Sequence, residues 1–172
     1  MATKWNLEPT HSEVLVKVKH LMISNVTATF KTVNGSIEAE DATFQNATVT
    51  FSADVKSINT HNEQRDAHVV GPDFFDAEKF PQITFEAKGF NPTEGKINGN
   101  LTIKGVTKAV SFHVEFNGTA KDPWGNEKVG FSVSGQVNRK DFGIEWNAPL
   151  ETGGVLISEE VKLNAELQFV KA

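Results

Sequence analysis

Apolar and polar residues alternate with a period of two through most of this 172-residue chain. In the clearest segment Val49, Phe51, Ala53 and Val55 share one phase, and the residues between them are threonine, serine and aspartate. This pattern is typical of strands. A single dry face indicates antiparallel pairing, because parallel strands that are buried on both faces read as unbroken apolar runs. Similar alternation covers residues 14–18, 83–87, 110–116, 129–137 and 161–169, and shorter strands are expected at 28–32, 36–39 and 96–104.

Roughly eight strands with one dry face predict an all-β closed barrel, which also removes exposed sheet edges. A two-sheet sandwich stays open as the alternative, because alternation alone does not distinguish the two. No composition break or repeat divides the chain, so we expect one domain over residues 1–172. Turns are expected at four dipeptides, Asn34-Gly35, Asn98-Gly99, Lys104-Gly105 and Asn117-Gly118. Asn98-Gly99 is instead a bulge if the apolar phase continues from Ile97 to Leu101.

The interior of such a barrel is either filled by side chains or holds one small ligand. The chain has 13 phenylalanines and no tyrosine, so a ligand inside would meet an apolar wall with few hydrogen-bonding groups. The alternation by itself favours a filled core. Only the length of the chain points towards a hollow barrel.

Composition limits the class of partner. The formal net charge is −5 and no run of lysine or arginine occurs, so a nucleic-acid partner is not expected. No apolar stretch is long enough for a membrane span. The absence of cysteine excludes disulfides and thiolate metal sites. The first residues lack the apolar core of a secretory signal, which predicts a cytoplasmic protein, or a periplasmic or secreted one if a signal was removed.

Residues 65–81 form the one long stretch that does not alternate. A connection of this length in a compact domain is often a lid or a binding loop. The adjacent Phe74 and Phe75 argue against disorder, and we expect a short helix-and-turn cap that Arg65 and Asp66 anchor to the barrel. If the backbone at the two phenylalanines is extended, only one of them faces the barrel opening.

Several motifs occur together in one order along nearly the whole chain. They are Trp5, Thr10-His11-Ser12, Lys19-His20, Ser57-Ile58-Asn59-Thr60, Arg65-Asp66-Ala67-His68, Pro72-Asp73-Phe74-Phe75-Asp76, Phe80-Pro81-Gln82-Ile83-Thr84-Phe85, the run 99–107 and Asn138-Arg139-Lys140-Asp141-Phe142-Gly143-Ile144. As a set they resemble the YceI-like family, bacterial lipocalin-like proteins associated with polyisoprenoid binding. The resemblance implies an extended antiparallel eight-stranded lipocalin-like barrel that is hollow, takes an isoprenoid or similar amphiphile, needs no cofactor and has no established catalytic activity.

The strand phases and the resemblance together nominate a binding site. The residues expected to line the cavity are Val16, Val18, Phe30, Val49, Phe51, Phe74, Phe75, Phe85, Leu101, Phe112, Phe131 and Leu163. The residues expected at a polar mouth are His20, Arg65, His68 and Arg139, facing a head group of quinone or prenyl pyrophosphate type. The open ends of such a barrel would also allow a homodimer.

Two other functions stay open. An enzyme acting on a lipid-like substrate would use His61, Arg65 and His68, which share a face if all three lie on one helix, with Asp66 pointing away. Their spacing matches no metal-binding motif, so we predict neither a catalytic nor a metal site. The third function is a filled structural barrel with a role in stress. Among the tryptophans, Trp5 is expected to plug the base, whereas Trp124 and Trp146 either close an end or lie on the surface.

Overall fold

The protein is described here by a computed structural model, which covers residues 2–21, 23–147 and 157–172. Its strands are β1 Thr3–Leu7, β2 Glu13–His20, β3 Ser24–Phe30, β4 Val33–Ala39, β5 Ala47–Asp54, β6 Ile58–Asn59, β7 Gln82–Phe90, β8 Lys96–Ile103, β9 Val106–Lys121, β10 Glu127–Asn138 and β11 Glu160–Lys171. The α-helix α1 is Glu63–Val69, and 3₁₀ turns occupy Pro9–His11, Val55–Ser57, Pro92–Glu94 and Arg139–Phe142.

These eleven segments form a closed antiparallel barrel of eight strands. The numbers differ because three of the eight strands are each interrupted and so consist of two segments. Strands β1 and β2 are two halves of one strand and pair with β4 and β3, the halves of the next. Strands β5 and β6 make the third, since β5 pairs with β4 and β6 with β3. Strand β11 pairs with β10 on one side and with β1 and β2 on the other, which closes the sheet. The predicted barrel is confirmed.

Only one of the four expected turns is present, at Lys104-Gly105, where both residues have positive φ values of 52° and 75°. Asn34-Gly35 lies inside β4. Asn98-Gly99 lies inside β8, which pairs with β9 in unbroken register, so it is neither a turn nor a bulge. Asn117-Gly118 lies inside β9, next to a register shift against β10. These three predictions were wrong because cross-strand pairing outweighs the local preference of an Asn-Gly pair.

One end of the barrel, the base, is plugged by Phe44, whose side chain has no exposed surface. Its ring centroid lies 5.1 Å from that of Trp5 and 5.9 Å from that of Phe131. Phe44 has a φ of 58°, which is unfavourable for a bulky side chain, and its complete burial offsets this strain. Trp5 is 4% exposed and lies in the base, as predicted.

The other end, the cap, contains α1 and the turns that follow it. The Asn62 side chain accepts a hydrogen bond from the Arg65 main-chain N–H at 2.9 Å and begins the helix. The Thr60 main-chain N–H donates to Asp66 Oδ1 at 2.7 Å, and Arg65 Nη2 donates to the Thr60 carbonyl at 2.7 Å. The expected anchoring by Arg65 and Asp66 is therefore confirmed, and it runs through a shared, buried threonine.

Candidate functional site

A cavity of about 440 Å³ lies inside the barrel, between the base and the cap. Small-molecule sites in proteins commonly have volumes of roughly 300–1,000 Å³. The filled core that the alternation favoured is therefore wrong, and the hollow barrel implied by the motif resemblance is present.

All twelve apolar and all four polar residues nominated from the sequence lie in the wall of this cavity. The structure thus brings them together, and their contact with a ligand stays a prediction. The wall also includes residues that the sequence reasoning did not nominate, among them Val14, Val26, Thr60, Val133, Phe142, Trp146 and Ile157. Val14 and Val133 already share the apolar phase of the predicted strands 14–18 and 129–137, and extending the strand expected at 28–32 by one step from Ala28 would have added Val26. Trp146 lies outside any strand and gives no periodic signal.

The open volume lies against one side of the barrel. Val16 on β2 and Leu163 on β11 are cross-strand partners, and Val133 lies on the adjacent β10; all three line the cavity yet are only half-buried. On the facing wall Phe85 and Phe112 are 9% and 5% exposed, with ring centroids 5.7 Å apart. Inward side chains that keep accessible surface indicate a void beside β2, β10 and β11.

Aromatic side chains roof the cavity at the cap. The ring centroid of His68 lies 5.0 Å from those of both Phe74 and Trp146, and Phe74 and Trp146 are 5.3 Å apart. Phe75 packs against Phe30 with centroids 6.4 Å apart. The expectation that only one of Phe74 and Phe75 faces inward is wrong, because the backbone there turns instead of extending. Trp146 belongs to this end, whereas Trp124 lies on the surface with 83% exposure.

Arg139 places a guanidinium in the apolar wall with only 5% exposure. Nη1 donates to the Ile144 carbonyl at 2.7 Å, Nε to the Ser158 carbonyl at 2.9 Å and Nη2 to the Ile157 carbonyl at 3.4 Å. Burial lowers the pKa of this guanidinium, and the charge of Glu159 acts in the opposite direction. Within the described part of the chain the guanidinium donates to these three main-chain carbonyls, which are neutral and do not cancel its charge.

The other polar residues near the mouth are more accessible. His68 Nε2 lies 2.9 Å from Asp73 Oδ2, and both side chains are about half exposed, at 44% and 55%. His20 is half-buried at the end of β2. Arg65 is exposed on α1, although its guanidinium bonds to Thr60. The mouth therefore combines cationic and hydrogen-bonding groups around an apolar channel.

The common face proposed for His61, Arg65 and His68 does not form. Helix α1 begins at Glu63, and His61 precedes it with a φ of 66°, exposed and outside the cavity wall. Asp66 points towards Thr60, and although burial would raise its pKa, the hydrogen bonds from Thr60 hold the pKa below its usual value. Over residues 2–21, 23–147 and 157–172, no group of three His, Asp or Glu side chains is arranged to hold a metal ion.

No helix within these same ranges is long and apolar enough to cross a membrane.

A comparison with protein families matches residues 5–169 to the YceI-like domain. The chain belongs to the YceI-like family. This confirms the family that the motifs indicated, and the YceI-like chain has the architecture of a hydrophobic ligand-binding barrel.

Relatives of the YceI-like chain cover nearly its full length. A UPF0312 protein of Staphylococcus epidermidis is 43% identical over 170 residues, covering 97% of each chain. The crystal structure of the Campylobacter jejuni YceI protein is similar with a TM-score of 0.77, at 34% identity over 90% of each chain. A polyisoprenoid binding domain from Saccharophagus degradans has a TM-score of 0.71 over 98% of each chain, and its 15% identity supports the shared fold alone.

Proposed function

We propose that this chain binds a long-chain amphiphile of the polyisoprenoid type inside the barrel, as a carrier, store or sensor. The observation that carries the proposal is the 440 Å³ apolar cavity with its polar groups gathered at one end. The polyisoprenoid binding domain with the same fold is consistent with this ligand class.

The shape of the cavity favours a chain over a compact ligand. Its wall runs along β11 from Val161 to Phe169. Eight residue steps at about 3.4 Å along a strand tilted by roughly 40° span about 20 Å of the barrel axis. Each buried methylene stabilises a complex by about 0.8 kcal/mol, so a ligand that fills this length binds without many hydrogen bonds.

The head group belongs at the cap end, beside Arg139, Arg65, His68 and His20. Arg139 is the group best suited to an anionic head, because its charge is buried and its hydrogen-bond partners among the described residues are neutral carbonyls. The acidic Glu159 is bound to Lys140 at 2.9 Å. An anionic or carbonyl-bearing head, such as a pyrophosphate or a quinone, would complement this end.

Solvent extraction of the purified protein followed by mass spectrometry tests the proposal. A long-chain isoprenoid is expected in the extract. The stripped protein should then gain thermal stability when a prenyl lipid is returned, by about 2.7 kcal/mol at a ligand concentration of about 100 times Kd. An empty extract together with an unchanged melting temperature would refute the proposal.

We further propose that the protein binds its ligand and releases it without any chemical change to the ligand. The His68–Asp73 pair is the arrangement at the mouth that an acid–base enzyme would need. Mass spectrometry of a prenyl pyrophosphate after prolonged incubation with the wild type should recover it intact. Turnover that disappears in His68→Ala would contradict this and would favour the enzyme.

A further inference from the structure

The hairpin tip between β2 and β3 exposes apolar side chains where a turn normally carries polar ones. Leu21 is 38% exposed and Ile23 is 84% exposed. Leu21 also has a φ of 55°, a conformation in which glycine, asparagine or aspartate is usual and a bulky side chain is strained. Phe44 has a comparable φ of 58°, but it is completely buried. Burial offsets the strain at Phe44, whereas Leu21 keeps 38% of its surface exposed.

The tip stands at the mouth of the cavity. His20, which precedes it, lines the cavity and pairs with Ile157, in the segment that leads into the neighbouring strand β11. Val18 on β2 and its partner Val26 on β3 line the same wall. Leu21 and Ile23 therefore lie directly beyond the ends of two strands whose inward residues line the cavity.

The strands that carry the tip are basic. Apart from Glu13, at the far end of β2, the two strands carry no aspartate or glutamate, but β2 carries Lys17 and Lys19, within a chain of net charge −5. Lys162 on β11 lies opposite Lys17 and adds to the same region. Strand β11 begins with Glu160, so the basic character belongs to the hairpin and not to the whole end of the barrel.

From this geometry we propose that the β2–β3 tip docks on the surface of an anionic lipid bilayer. Leu21 and Ile23 enter the interface between headgroups and acyl chains, and the hairpin lysines contact the lipid phosphates. The mouth then faces the membrane, where a long-chain lipid could pass into the barrel without crossing water. This passage rests on the proposed function, but the docking itself requires no bound isoprenoid.

Co-sedimentation with vesicles that contain no isoprenoid tests the docking. Phosphatidylcholine vesicles with and without phosphatidylglycerol are compared for the wild type, Leu21→Asn, Ile23→Ser and the control Trp124→Ser. Trp124 is the matched control because it is 83% exposed in the hairpin at the base, the opposite end of the barrel. The wild type should bind the anionic vesicles more tightly. Leu21→Asn and Ile23→Ser should each lower the partition coefficient roughly tenfold, from the lost apolar burial, and Trp124→Ser should leave it unchanged.

The Leu21→Asn variant keeps the test independent of folding. Asparagine tolerates the left-handed conformation at this position, so its melting temperature should equal or exceed that of the wild type. Weaker vesicle binding with undiminished stability would therefore report the lost apolar contact.

Three outcomes would overturn the docking proposal. The first is that the wild type does not bind vesicles, and the second is that Trp124→Ser and Ile23→Ser lower the partition coefficient equally. The third is a dimer, seen by light scattering, that Leu21→Asn dissociates, because the tip would then bind a second copy of the chain. Solvent extraction of the same preparations tests the docking proposal separately from the proposed isoprenoid ligand. If the protein contains an isoprenoid but does not bind vesicles, the docking proposal alone is refuted. If it binds vesicles but contains no lipid, the proposed isoprenoid ligand alone is refuted.

Discussion

Replacing Leu163 with tryptophan tests whether the barrel is hollow beside β2 and β11. Leu163 faces inward, is half-buried and lines the cavity next to its cross-strand partner Val16. In a filled core a larger side chain is forced into occupied space and costs about 1–3 kcal/mol. For a chain of this size 1 kcal/mol shifts the melting temperature by roughly 2–4 °C, so a filled core predicts a fall of about 2–12 °C. A hollow barrel accepts the ring, and the melting temperature of the lipid-free protein should stay level or rise.

The same substitution should weaken ligand binding by blocking part of the channel. Excluding one five-carbon isoprene unit removes up to about 4 kcal/mol of apolar burial, at about 0.8 kcal/mol per methylene. That figure is an upper limit, because bound chains also lose conformational freedom. We therefore expect Kd to rise between tenfold and about a thousandfold, since each 1.4 kcal/mol is tenfold.

Calorimetric titration of the stripped protein with a short soluble prenyl lipid measures the effect on binding. Lys162→Trp is the matched control, because the neighbouring residue carries the same new side chain on the exposed outer face. It should change neither Kd nor the melting temperature. A drop of several degrees in Leu163→Trp with an unaltered Kd would refute the hollow barrel as the binding site.

Three further substitutions probe the base, the anchor and the roof. Phe44→Ala should cost about 3–5 kcal/mol in urea unfolding, because the fully buried ring plugs the base; a cost below 1 kcal/mol would contradict this. The pKa of Asp66 is lowered in the fold although burial alone would raise it, so its charge contributes stability that is complete above the unfolded-state pKa near 3.8 and is lost as the pH falls through the lower folded value. The difference in unfolding free energy between wild type and Asp66→Asn should therefore be larger at pH 7 than at pH 3, and a pH-independent difference would contradict the assignment. Trp146→Ala removes part of the roof over His68 and Phe74 and should speed ligand dissociation in stopped-flow displacement; an unchanged rate would show that the ligand leaves elsewhere.

The barrel itself could be predicted because its strands are long and their apolar phase is regular. The phase at 49–55 and 129–137 determined which side chains face inward, and the structure agrees. Turn positions were less predictable, because Asn34-Gly35 and Asn98-Gly99 have strong local preferences that the neighbouring strands override. Residues 65–81 were recognisable as a cap, yet the turned backbone that directs both Phe74 and Phe75 inward depends on contacts that no short pattern encodes.

Whether the barrel is hollow could not be read from the alternation, and the structure gives the physical reason. An inward phase identifies side chains such as Val16 and Leu163 as apolar, but it does not say whether other side chains meet them across the interior. That depends on how the wall is completed above β6, which has only two residues and pairs with β3 at Thr29 and Phe30 alone. Beyond this point the chain turns into α1, and Val69 together with Phe74 and Phe75 replaces a strand in the cavity wall. A helix and the turns that follow it therefore complete the wall where no paired strand does, and the alternation of strand residues does not describe that part of the interior.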